Sequence, residues 1–227
     1  MNKSFSRSTR ISDAAATGGH RPSLHPPRLL LITDHAVRPD IENAVSQALQ
    51  GGPFDLLLRD KTASRTLLTQ LARRLILLLT PSGGRLIVHE HLEIALDVGA
   101  AGAHLPEMGM ETTEARRILG PHPLLGRSCH HTENACQHLH QGGDYVTLSP
   151  VFRTASHPDA SPLGLERFSR MCAVVDGPVL ALGGVNTDNA WSALQAGASG
   201  VALIRGVLNA PDPGQTIQTM LTYISRS

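Results

Sequence analysis

From Arg28 onward, short runs of Leu, Ile, Val and Ala alternate with stretches whose apolar residues recur every three to four positions. The runs occupy residues 29–33, 54–58, 85–88, 103–105, 123–126, 144–148, 178–182 and 200–204. They are near-continuous rather than alternating, the pattern of strands buried on both faces of a parallel sheet. Helical periodicity fills residues 41–49, 64–79, 112–119 and 187–196, the last with an Asn186/Thr187 start and a Gly197 stop. Small-residue links at 98–102, 142–143 and 196–200 lead from helix to strand, which suggests one kind of turn reused around a closed ring. Eight β/α units in roughly 200 residues is the size of a compact α/β (β/α)8 TIM barrel. An open doubly wound sheet is the competing architecture, but the chain lacks its Gly-x-Gly-x-x-Gly turn after the first strand.

Composition narrows this picture. Aromatic residues make up 3% of the 227-residue chain, so the core must be aliphatic. A formal net charge of +1 supplies no global field for nucleic acid or an anionic membrane, and any bound anion must be caught locally. Three cysteines, Cys129, Cys136 and Cys172, are too few for a disulfide framework and fit a reducing cytoplasm. No apolar run approaches the ~18 residues of a membrane span. Residues 1–27 are rich in Ser, Thr, Arg, Gly, His and Pro, and are expected to form a flexible tail ending at Pro26-Pro27, with the barrel over 28–227.

In such a barrel the C-terminal strand ends form the active face. The residues just after each run are polar: Arg59-Asp60-Lys61, His89-Glu90-His91, Pro106-Glu107, Ser128 with His130, and Ser149 with Thr154, Ser156 and His157. Gly183-Gly184 and Ile204-Arg205-Gly206 close the seventh and eighth runs, the usual place for a phosphate held by backbone N–H groups. His130 is the natural proton-transfer residue, since imidazole titrates near neutrality. Arg59 and Lys61 are candidates for a second anionic group, unless Asp60 neutralises an exposed turn. His89 and His91 share a face if the strand continues, so a metal reading is open there. Cys129 alternates away from Ser128 and is expected against a helix. His138 and His140 are expected to be solvated.

Seven segments together resemble the thiamin-phosphate synthase superfamily, which includes the thiazole tautomerases. They are Ile32-Thr-Asp34, Leu58-Arg-Asp-Lys61, Gly102-Ala-His-Leu105, Gly126-Arg-Ser-Cys-His130, Ser149-Pro-Val-Phe-Arg-Thr154, Leu182-Gly-Gly-Val-Asn186 and Gly200-Val-Ala-Leu-Ile204. The resemblance implies a (β/α)8 barrel, a homodimer and a thiazole phosphate substrate. Ser128, Thr154, Ser156, Gly183, Gly184, Ile204 and Arg205 fall on its thiazole-phosphate positions, and Arg59 and Lys61 on its pyrimidine side. That side departs from the synthase pattern at Leu57 (usually Gln), His89-Glu90-His91 (usually Asn-Asp-Arg), Gly109 (a metal aspartate) and His157 (a lysine).

Leu105-Pro106 and Gly126-Arg-Ser-x-His130 look closer to the tautomerase branch. The leading expectation is therefore a metal-independent thiazole tautomerase with no cofactor. His130 would be its acid/base, Ser128, counted with it as catalytic, would orient the ring with Thr154, and His89, Pro106, Ser156 and His157 would lie around the substrate. The alternative is thiamin-phosphate synthase, with Mg²⁺ at Glu90. A third is a non-catalytic barrel that binds thiamin precursors and regulates.

Overall fold

The computed structural model describes residues 24–155 and 159–227. Eight parallel strands close into a barrel in strict sequence order. They are β1 (Leu29–Ile32), β2 (Asp55–Leu58), β3 (Arg85–His89), β4 (Gly102–Leu105), β5 (Leu124–Cys129), β6 (Tyr145–Leu148), β7 (Val179–Ala181) and β8 (Gly200–Leu203). The helices are α1 (Ile41–Leu49), α2 (Arg65–Leu79), α3 (Leu92–Val98), α4 (Thr112–Leu119), α5 (Thr132–His140), α6 (Gly164–Val174), α7 (Ala190–Gln195), α8 (Arg205–Leu208) and α9 (Pro213–Arg226). Pairing of β1 with β8, Leu30 opposite Ala202, closes the ring and rules out the open sheet. Of the tail expected over 1–27, residues 1–23 lie outside the described residues. His25 is tied to the barrel base, its carbonyl accepting from Arg85 Nη1 at 2.9 Å.

Burial explains why the strands read as continuous apolar runs. One set of side chains, including Leu31, Leu56, Leu58, Val88, Leu125 and Val146, faces the helices. The alternate set, Leu30, Ile32, Leu57, Ile87, Leu124, Tyr145, Leu180 and Ala202, fills the barrel interior. Cys129 belongs to the outer set, fully buried as expected, and burial pushes its thiol up to about 12. It is not a nucleophile near neutral pH.

Most elements fall within a residue of their expected ends, and two shift by three residues at one end. β5 continues three residues past the apolar run at 123–126, because Ser128 and Cys129 still pair with Thr147 and Leu148. α7 starts at Ala190 rather than 187. Its approach is a polar turn in which Asn189 Oδ1 accepts from Asn186 N–H, Asn189 Nδ2 donates to the Gly184 carbonyl and Asn186 Oδ1 accepts from Asp188 N–H. Such side-chain bonds satisfy backbone groups that a helix would otherwise claim.

Candidate active site

Two cavities open at the C-terminal end of the barrel. One, of about 360 Å³, is lined by His130, Ser149, Thr154, Gly183, Gly184 and the Ile204–Gly206 turn, among others. The second, of about 390 Å³, is lined by Asp34, His35, Arg59, Asp60, Lys61 and Thr62. Ile204 and Arg205 belong to both walls.

The first cavity is shaped by backbone. Gly183 and Gly184 have φ of 92° and 68°, a region that side chains rarely adopt. A Cβ on Gly183 would sit 2.7 Å from Pro150, and one on Gly184 2.4 Å from the Arg153 carbonyl. Only glycine lets these two strand-end loops approach so closely. At the rim, His130 Nδ1 lies 2.7 Å from the Ser149 carbonyl, which can only accept, so Nδ1 carries the hydrogen. Its Nε2 faces Glu107 Oε2 at 3.5 Å. Glu107 also accepts from the His130 backbone N–H and from Asn134. His130 is thus oriented through Nδ1, and its Nε2 can pair with Glu107 when that nitrogen is protonated, while its side chain remains 45% exposed.

Glu107 is in turn set by Arg127, which points outward from β5. Its guanidinium donates to the carbonyls of Pro106 (3.2 Å), Glu107 (3.1 Å) and Met110, and to Thr112 Oγ1. Glu107 stood among the polar strand-end residues without a role, and Arg127 was not among the expected site residues. The sequence signal was present: an arginine inside a strand buried on both faces needs several acceptors.

The second cavity has a cationic excess, Arg59, Lys61 and Arg205 against Asp34 and Asp60. Asp60 does not neutralise Arg59 and Lys61. Its Oδ1 accepts from Thr62 N–H, Thr62 Oγ1 and Ala63 N–H, and its Oδ2 lies 3.3 Å from His35 Nδ1. Burial would raise the Asp60 pKa, but these bonds and the His35 charge together hold it below the usual carboxylate range. Arg59 has its nearest carboxylate in Asp34, at 3.9 Å.

His89, Glu90, Pro106 and Ser128 line neither cavity. His89 stacks on His104 in the barrel mouth, with ring centroids 6.4 Å apart. Burial first, then the charges of Arg59, His91 and Lys61, press its pKa down to about 4, so it is neutral near pH 7. The strand ends at His89 and Glu90 takes φ 65°, so His91 does not share a strand face with His89. Among the described residues no group of three His, Cys, Asp or Glu side chains is placed to hold a metal ion.

Ser128 points into the barrel, hydrogen-bonded to His104 Nε2 at 3.0 Å and 3.5 Å from Thr147 Oγ1. Ser156 and His157, expected near the substrate, lie outside the described residues. His138, expected to be solvated, is 1% exposed and bonded to Thr112 and the Leu125 carbonyl, while His140 is exposed as expected. His138 fits inside because Gly143 leaves it room: a Cβ there would lie 2.2 Å from its Nε2.

The family sequence model "Thiamine monophosphate synthase" matches residues 29–207. The putative thiamine-phosphate synthase of Geobacter sulfurreducens is 38% identical over 199 residues, covering 86% of this chain and 93% of that protein. The thiamine-phosphate synthase of a Roseiflexus species is 38% identical over 198 residues, covering 86% and 84%. Among solved structures, the thiamine phosphate pyrophosphorylase of Pyrococcus furiosus superposes with a TM-score of 0.80 at 30% identity, covering 88% of this chain and 96% of that one. This chain belongs to the thiamine monophosphate synthase family, whose place is in thiamine biosynthesis. These relatives bear the names of the coupling enzyme, so the expected closeness to the tautomerase branch gains no support from them.

Proposed function

We propose that this member of the family carries out the coupling reaction, joining a hydroxymethylpyrimidine diphosphate to a thiazole phosphate with release of pyrophosphate. The observation that carries the reading is the pair of cavities meeting at Ile204 and Arg205. Two substrates need two compartments with one shared wall, and the compartments differ in the expected way. The glycine-walled cavity suits a phosphate tail with an aromatic ring, Thr154 and Ser149 offering hydroxyls beside it. The cationic one, with Arg59, Lys61 and Arg205, suits a diphosphate. In the reaction the bond from the pyrimidine methylene carbon to the diphosphate oxygen breaks, and that carbon bonds to the thiazole nitrogen. Charge builds on the departing diphosphate, and the cations of the second cavity stabilise it there.

Among the described residues, the family's metal positions do not build a two-carboxylate Mg²⁺ site. The Glu90 side chain is 61% exposed at a left-handed backbone position. Gly109, where the family has a second metal aspartate, packs so that a Cβ would meet Pro106 at 2.9 Å. Asp60 is spent on Thr62 and Ala63. The cationic side chains therefore carry the diphosphate in this reading.

A second reading is supported by His130, held by Ser149 and Glu107 at the rim of the thiazole cavity. It is a proton transfer that aromatises a thiazole phosphate carboxylate, with His130 as acid and base, and it needs only the first cavity. Two incubations separate the readings. Pure protein with both coupling substrates, with and without Mg²⁺, is expected to form thiamin phosphate, and Arg59→Ala to lose about tenfold or more of that rate. No thiamin phosphate in either condition, with His130-dependent aromatisation of the carboxylated tautomer, would replace the coupling reading by the second.

A further inference from the structure

The barrel interior holds a chain of four polar side chains to which neither reading assigns a role. Tyr145 on β6, His104 on β4, Ser128 on β5 and Thr147 on β6 run from its centre toward the mouth. Tyr145 Oη lies 3.1 Å from His104 Nδ1, and His104 Nε2 lies 3.0 Å from Ser128 Oγ. Thr147 Oγ1 is 3.5 Å from Ser128 Oγ. Tyr145 and Thr147 are fully buried, His104 is 1% exposed, and Ser128 is the one member that reaches solvent.

Gly126 makes the arrangement sterically possible. A Cβ at that position would sit 2.3 Å from Tyr145 Cζ and 2.5 Å from His104 Nδ1. The glycine that opens Gly126-Arg-Ser-Cys-His130 is thus needed for space, so that two rings can meet behind the serine.

Proton accounting gives the chain a direction. Burial keeps the imidazole neutral, the nearby His89, His138 and Arg127 adding to the effect, and keeps the Tyr145 phenol protonated. A neutral imidazole offers one N–H and one lone pair. Among the described residues, the phenol's hydrogen-bond partner is His104 Nδ1. Were Nδ1 protonated, the phenol hydrogen would be left in the barrel without an acceptor, which costs more than a made bond gains. Nδ1 therefore accepts from Tyr145, Nε2 carries the hydrogen, and Ser128 Oγ accepts it. Thr147 supplies a second hydrogen to the same oxygen. Both Ser128 lone pairs are then occupied, and its own hydrogen is left for an acceptor in the mouth.

We propose that His104 is a positioning residue that fixes Ser128 as a hydrogen-bond donor to an acceptor atom of the substrate in the barrel mouth, with Tyr145 locking the imidazole tautomer. The inference rests on the proposed function, with substrate reaching Ser128 at the barrel mouth, but the tautomer is readable without turnover.

Long-range ¹⁵N–¹H NMR spectra of the whole protein are expected to show the His104 ring protonated at Nε2 and bare at Nδ1. A ring protonated at Nδ1, or at both nitrogens, overturns the relay whether or not the protein is active. In the coupling assay, His104→Leu is expected to lower kcat about tenfold with KM within about twofold, the loss of one aligned hydrogen bond. His104→Gln, whose amide N–H can replace Nε2–H, is expected to recover most of that loss, and Tyr145→Phe to fall between. Adding Ser128→Ala to His104→Leu is expected to cost nothing further. A folded His104→Leu protein with unchanged kcat, or full additivity with Ser128→Ala, would overturn the proposal. Inactive wild-type protein would count against the coupling reading alone, since the NMR result decides the relay by itself.

Discussion

His104 and His138 stand on opposite sides of the barrel wall, one inside it and one on the buried face of α5, and each is 1% exposed. Burial lowers both pKa values, that of His138 to about 4. Their surroundings differ in where the hydrogens end. Around His138 the network closes on itself: Nε2–H donates to the Leu125 carbonyl, Thr112 donates to Nδ1, and Arg127 ends on Thr112 and the carbonyls of Pro106, Glu107 and Met110. Around His104 the network is open, running from a buried phenol to a serine at the mouth. A closed network can only hold a shape, here the 106–112 loop that carries Glu107. An open one ends on a group that can meet another molecule. β5 joins them, with Arg127 facing out and Gly126 and Ser128 facing in.

The comparison can be broken most severely at Gly126. Gly126→Ala drives a methyl into Tyr145 and His104, and is expected to cost more than about 3 kcal/mol in urea unfolding. A loss below about 1 kcal/mol would mean the inner network has slack and cannot enforce a direction.

The pH dependence of His138 comes next. Unfolded, its imidazole binds a proton below about 6.5, but folded only below about 4. Between those values the unfolded state binds more protons, so stability falls as pH falls through that window, by roughly 3 kcal/mol in all. His138→Gln is expected to be less stable at pH 7 and to lack this part of the decline. Parallel unfolding curves of the two proteins from pH 7 to 4 would show that the closed network does not depend on a neutral ring.

Arg127→Lys keeps the charge but not the planar fork, and is expected to cost about 2 kcal/mol. It should also raise KM several-fold, because Glu107, and through it His130, loses its support. Unchanged KM would separate the closed network from the site. Thr112→Val is the mildest cut, expected at about 1 kcal/mol with activity within twofold of wild type.

Much of the fold is legible because strands buried on both faces must be apolar throughout, and glycine and alanine punctuate their entries. The exceptions have local causes. The apolar run at 123–126 carries no sign that Ser128 and Cys129 are still paired, since that depends on Thr147 and Leu148 across the sheet. The α7 start depends on which of Asn186 and Asn189 bonds to which backbone group. In the site, Gly183, Gly184, Ile204, Arg205, Thr154 and His130 lie around one cavity, and Arg59 and Lys61 around its neighbour. Those residues come directly after strand ends, which the barrel gathers together. The burial of His104 and His138 is not legible in the same way, because it is decided by glycines on neighbouring elements or turns, Gly126 and Gly143, that leave room for a ring.

The wall shared by the two cavities has a consequence for inhibitor design. A single molecule carrying an anion for Gly183 and Gly184 at one end and a diphosphate mimic for Arg59 and Lys61 at the other must pass Ile204 and Arg205 between them. Once one end is seated, the other meets its compartment at the millimolar effective concentration of a short tether, provided the linker matches the span. Avidity of this kind is available only where two compartments adjoin, and a linker series with a sharp optimum length would measure how close they are.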